Sequence, residues 1–178
     1  RPVLHLPRHW PRAKPWQGTV VSPMDIMVTR NAWKTVATNV VPQHWQHSDS
    51  VDSTLPAWNY YRESIRNGQL PLWNPTNSGG IPGILNLTSE ILSPFFWPYL
   101  LTEKRGYGFH AGIILKLTVT GMGMFWLLRS FVGWWPAVLG GIVYMLCGFN
   151  ASWLFVTATS VTAWIPWFWW ALERDLRV

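Results

Sequence analysis

From His110 to Leu172 the chain is almost wholly apolar, and between those residues Lys116 and Arg129 carry the only formal charges. Each helical crossing of a bilayer takes about 20 apolar residues, so a run of this length suits a chain that crosses more than once. The first span is expected at 109–131, roughly 30 Å or slightly longer at 1.5 Å per residue. Its Gly112, Gly121 and Gly123 let a neighbouring helix come close. Residues 134–172 are too long for one span and suit two, with the break expected near Asn150-Ala151-Ser152. Ala137 and Gly141 sit four apart, as do Gly148 and Ser152, which marks packing faces. Pro166 is expected to kink the last helix. Trp164, Trp167, Trp169 and Trp170 resemble an interfacial aromatic belt, and Glu173, Arg174, Asp175 and Arg177 mark the exit into water.

Composition agrees with this reading. Charged residues make up 12% of the chain, against roughly 25% in an average globular protein. Fifteen residues are Trp, whose apolar body and single N–H donor suit the boundary between lipid and water. The net charge of +6 is concentrated towards the N-terminus, where Arg1, Arg8, Arg12, Lys14, Arg30 and Lys34 face Asp25 alone. Such a segment suits anionic headgroups or an acidic partner. No nucleic-acid motif accompanies the charge, so nucleic acid is not an expected partner. Cys147 is the only cysteine, which excludes an intrachain disulfide and reads as a small buried apolar residue.

The expected fold is therefore an all-α membrane protein, with about three transmembrane helices preceded by an irregular, partly helical extramembrane region. Residues 1–48 read as a basic, proline-rich arm, with a short amphipathic helix over 24–41. Residues 49–108 hold an extramembrane helix at 52–67, capped by Asp52 or Ser53 and ended by Gly68. Leu55, Trp58, Tyr61 and Ile65 make its apolar face. A loop rich in Gly, Pro and Asn follows over 68–85. Residues 84–100, interrupted by Glu90, Pro94 and Pro98, read as a re-entrant or interfacial segment. Residues 109–178 form the transmembrane region.

Few residues carry chemistry. His44 and His47, near Asp49 and Asp52, are residue types that hold zinc or manganese when a turn gathers them. His110 begins the first span and has a ring nitrogen suited to a haem or chlorophyll. Lys116 is expected to snorkel to the surface or pack on a partner. Glu90 reads as a helix-capping or headgroup-level carboxylate. Asn86-Leu87-Thr88 and Asn150-Ala151-Ser152 fit the N-glycosylation pattern, the second inside the apolar run.

The stretch from Tyr60 to Pro75, ending Gly68-Gln69-Leu70-Pro71-Leu72-Trp73-Asn74-Pro75, resembles the G-x-L-P-L-W-N-P signature of bacterial YfhO-like membrane proteins. These share the general architecture of GT-C glycosyltransferases. The likeness continues through Gly79-Gly80-Ile81-Pro82, Leu127-Leu128-Arg129, Gly140 to Met145, and Trp164 to Arg174. It implies a bacterial inner-membrane protein with residues 1–108 on the extracytoplasmic side. It also implies that Asp52, or alternatively Asp49, serves a sugar-transfer site as general base or as ligand to a divalent metal. Family members carry a transmembrane helix before this loop and many spans after it. The expected function of a 178-residue chain is accordingly a shortened, non-catalytic membrane subunit of a larger bacterial complex, photosynthetic or respiratory. Its partners would be other membrane subunits and lipids, with pigment or lipid contact and no established cofactor. Trp73, Asn74, Pro75, Lys116 and Arg129 are the expected interaction residues. The alternative is a piece of a GT-C-type glycosyltransferase using a lipid-linked sugar donor.

Overall fold

The computed structural model describes residues 26, 48–75, 79–84 and 90–176. Apart from Ile26 and Ser48, the basic arm with its expected helix at 24–41, His44 and His47 lies outside the described residues, as does the Asn86-Leu87-Thr88 sequon. The chain is mostly helical. A π-helical turn, Ser50–Thr54, leads into α1, Leu55–Arg66. A two-residue hairpin follows, with β1 at Trp73–Asn74 and β2 at Ile81–Pro82. Then come α2, Trp97–Leu101; α3, Arg105–Arg129; α4, Trp134–Met145; α5, Gly148–Ser152; and α6, Ala158–Leu176.

The expected apolar face of α1 forms, with Trp58 and Tyr61 buried. The cap position of α1 falls on Thr54, whose side chain makes no capping bond, and Asp52 and Ser53 lie inside the preceding π-turn. The preceding turn is already wound helically and supplies the carbonyls that a cap would otherwise replace. Gly68, at φ +73°, ends the helix as its sequence position suggests. The loop that follows is more ordered than its turn formers imply. Trp73 pairs with Pro82 and Asn74 with Ile81 in an antiparallel ladder. The Gly83 N–H extends it by donating to Leu72 O at 2.7 Å.

α3 is the spine of the molecule. It begins at Arg105, four residues before the expected span, because Arg105 and the residues after it continue the helix into a region covered by α1 and α2. α4 folds back antiparallel beside it: Gly121 meets Met145, and Leu128 meets Gly140. α6 runs parallel to α3, since Lys116 meets Thr159, Val119 meets Trp167, and Trp126 meets Trp170. Close approach explains two glycines. A Cβ on Gly112 would lie 2.5 Å from Phe95 O, and one on Gly141 would lie 2.8 Å from Gly121 O. Ala137 is buried alongside Gly141, whereas Gly148 and Ser152 are exposed and form no packing face.

Among the described residues, two helical segments are long and apolar enough to cross a membrane: Arg105–Arg129 and Trp134–Ser152. The second is broken at Leu146-Cys147, earlier than the expected break, where α4 gives way to α5. α6 carries Glu173, Arg174 and Asp175 in its last turns, which keeps it from the same standard of apolarity. α6 continues through Pro166. Proline lacks the N–H that would bond the carbonyl four residues back. That carbonyl belongs to Thr162, and the Tyr144 hydroxyl donates to it at 3.3 Å.

An aromatic core joins α1 and α2 to the bundle. The Trp58 ring lies 5.3 Å from Phe96, 5.4 Å from Tyr99 and 6.1 Å from Phe109. Phe109 stacks on Phe155, just before α6. The Ser50 hydroxyl donates to Phe155 O at 2.9 Å. The π-turn, α1 and the hairpin are thus seated at the end of the bundle where α3 begins.

Candidate functional site

Residues 90–101 run antiparallel to the first half of α3. Glu90 lies beside Lys116, Phe95 beside Gly112, and Pro98 beside Gly108. The segment therefore reaches roughly 16 Å along α3 from Arg105, at 1.5 Å per residue, and does not follow its whole length. Near that depth α4 ends beside Gly121, α6 begins beside Lys116, and Glu90 opens the segment that runs back along α3. Glu90 has φ +54°, a left-handed conformation that costs an L-residue roughly 1–2 kcal/mol.

The side chains gathered there form a closed polar knot. Lys116 Nζ lies 3.7 Å from Glu90 Oε1, and both side chains are almost fully buried. The Ser160 hydroxyl donates to the same Glu90 oxygen. Lys116 also donates to Thr159 Oγ1 at 3.3 Å and sits 5.9 Å from the Phe95 ring centre. The Thr159 hydroxyl donates in turn to Val156 O at 2.9 Å. Ser160 and Thr159 lie in the first turn of α6, whose positive end favours the Glu90 carboxylate. A second knot lies beside the first. Asn150 Nδ2 donates to Tyr144 O at 2.8 Å, and Thr162 Oγ1 donates to Asn150 Oδ1 at 3.1 Å.

Lys116 therefore does not snorkel. It stands about three turns into α3, too deep to reach the end of the helix, and its charge is met inside the protein. Glu90 is likewise buried, with its carboxylate met by Lys116 and Ser160. Each was conspicuous in the sequence as a charge in apolar surroundings. Their pairing, and the part played by Ser160 and Thr159, depends on where the chain turns back.

The Trp73-Asn74-Pro75 block sits in and after β1, at the end of the bundle that carries α1. Trp73 is exposed and Asn74 buried, while Pro75 is exposed. The Tyr60 hydroxyl donates to Trp73 O at 2.7 Å and ties the hairpin to α1. Arg62, which sequence reasoning did not single out, is buried and donates to the carbonyls of Tyr99, Thr102 and Glu103. It holds the α2–α3 turn against α1. The Tyr99 hydroxyl donates to Asn59 Oδ1 at 2.6 Å. Burial pushes the Tyr99 phenol above its ordinary pKa, with Arg105 and Arg62 pulling against it. Arg105 also pairs with Glu63 at 2.7 Å on the surface.

Asp49 and Asp52 are exposed at the start of the described region, and Asp52 lies in the first turn of the π-helix. His110 Nδ1 lies 2.7 Å from Gly106 O within α3. Arg129 stands at the opposite end of the bundle, donating to Val132 O at 2.9 Å beside the Trp134 ring. Among the described residues no group of three or more His, Cys, Asp or Glu is placed to hold a metal ion. Compared with protein-family models, with curated proteins and with solved structures, the chain matches none.

Proposed function

We propose that this chain is a non-catalytic integral membrane subunit that packs within a larger bacterial membrane assembly. α3, the α4–α5 segment and α6 make three passes, and residues 90–96 lie at membrane depth against the first half of α3. The observation that carries this reading is the division of polar and apolar groups along the bundle. Outward faces are apolar over the length of the helices, with Ile114, Leu139, Val143, Val161 and Phe168 all exposed. The polar side chains at mid-depth, Lys116, Glu90, Thr159 and Ser160, are turned inward and partnered. Irregular backbone at membrane depth is tolerated where protein covers it, as it does around Glu90. The exposed apolar faces are surfaces for lipid and for neighbouring helices.

The GT-C-type glycosyltransferase is the second reading. It is favoured by exposed Asp52 lying at the same end of the bundle as the Trp73-Asn74-Pro75 block, the order found in the family that the motif resembles. Purification of the native protein in mild detergent, followed by intact-mass and absorption measurements, separates the two. The subunit reading expects the chain to travel with other membrane polypeptides, and the spectrum reports any pigment. A particle of this polypeptide alone, with sugar-transfer activity lost on Asp52→Asn, would overturn it in favour of the transferase.

A further inference from the structure

The end of the bundle away from the hairpin holds a second cluster of charge. A cleft of about 350 Å³ between the last turns of α3 and α6 is lined by Trp126, Arg129, Ser130, Trp170, Glu173 and Arg174. Each guanidinium lies against an indole: Arg129 is 5.9 Å from the Trp134 ring centre and Arg174 is 5.6 Å from that of Trp170. One Arg129 N–H group is used on Val132 O, out of the five donors a guanidinium offers. With Glu173 counted, two positive charges and one negative line the cleft.

Trp126 also lines a second space, a groove of about 450 Å³ between α3 and α4. Its walls include Met122, Phe125, Val138, Ile142 and Met145. Thr118, Met122, Trp126 and Ser130 recur every four residues and so share one face of α3. Sharing Trp126, the guanidinium cleft and the apolar groove adjoin as one path along α3. From Thr118 to Arg129 it runs roughly 16 Å along the helix.

We propose that this path binds an anionic glycerophospholipid. Its phosphate is held by Arg129 and Arg174, and one acyl chain lies in the α3–α4 groove. A phosphate accepts charge-assisted hydrogen bonds from both guanidiniums. The net single positive charge of the cleft complements a phosphodiester. A free phosphate would satisfy the arginines and leave the groove unfilled, whereas a lipid occupies both. Basic pockets between membrane helices are a recognised setting for anionic headgroups.

The proposal rests on the membrane reading above, and the test separates the two. The full chain, purified in a neutral detergent, is titrated with phosphatidylglycerol, phosphatidylcholine and inorganic phosphate, read by thermal shift and by lipid retained in native mass spectra. Phosphatidylglycerol is expected to stabilise the protein and remain bound. The double variant Arg129→Gln/Arg174→Gln is expected to weaken that binding roughly thirtyfold, at about 1 kcal/mol per basic residue. Lys104→Gln, at the other end of α3, is expected to leave it intact. Equal binding of phosphatidylcholine would overturn the proposal by removing the role of headgroup charge. An equal effect of inorganic phosphate would overturn it in favour of a free-anion site. Unchanged binding by the double variant would overturn the assignment to these arginines. A chain that stays monodisperse without detergent would remove the membrane reading and the lipid site together.

Discussion

Lys116 and Glu90 show how a pair of residues can be costly apart and stable together. A buried ion whose partner is removed is left uncompensated, which typically costs 3–5 kcal/mol. Lys116→Met is therefore expected to destabilise the protein by about that amount in detergent denaturation, because among the described residues Glu90 would keep Ser160 alone as a partner. Combining it with Glu90→Gln should recover a large part of the loss, since well-packed neutral groups often replace a buried ion pair without penalty. A double variant less stable than Lys116→Met alone would contradict this. Tyr99 predicts a pH effect of definite sign. Its folded-state pKa is raised above the ordinary 10.0, so the folded chain keeps the phenol proton longer than the unfolded chain does. The stability this gives is fully present below pH 10.0 and is lost as pH rises through the folded value. Unfolding followed at increasing pH should show a decline beginning there, and Tyr99→Phe should remove that part of it. The two charges were conspicuous in the sequence because charge in an apolar run is expensive. Their partners were not, because hydroxyls such as Ser160 and Thr159 carry no charge and are ordinary in an apolar run.

The helices of the bundle were legible to different degrees for a physical reason. Length and apolarity are properties of a segment, so α3 could be read from sequence within a few residues. The small residues that admit close neighbours, Gly112, Gly121 and Gly141, were legible on the same grounds. Helix breaks are set by competition between local propensity and tertiary hydrogen bonds, and here the tertiary side prevails. α4 ends at Met145 because Asn150 and Thr162 engage the chain just beyond it, earlier than turn formers alone indicate. Asp52 likewise lies inside a π-turn, because the residues before α1 are already helical. Pro166 stays within α6, with the Tyr144 hydroxyl bonded to the carbonyl of Thr162 that the proline leaves without its usual donor. Tyr144→Phe should then cost about 1–3 kcal/mol, the penalty for a buried acceptor left unsatisfied. In a Pro166→Ala background the backbone N–H returns, and the same change should cost clearly less. Equal costs in the two backgrounds, measured as a double-mutant cycle, would show that the hydroxyl does not stand in for the missing donor.

At the scale of the whole molecule, the two ends of the bundle differ in kind. One end is sealed by α1, the hairpin and an aromatic core, and holds Arg62 and the Trp73-Asn74-Pro75 block. The other is a short turn between α3 and α4 with arginines set against indoles. The apolar half of the chain was legible because length and continuous apolarity can be read directly from a segment. The candidate site was legible only as isolated charges, because its geometry depends on residues 90–101 folding back along α3. The central claim is that a bilayer separates the two ends. It is tested most directly by labelling intact cells with a membrane-impermeant maleimide in a Cys147→Ser background, comparing Gln69→Cys beside the hairpin with Val132→Cys in the α3–α4 turn. The account predicts that the first site reacts in intact cells and the second only after permeabilisation. Reaction of both sites from the same side would contradict it.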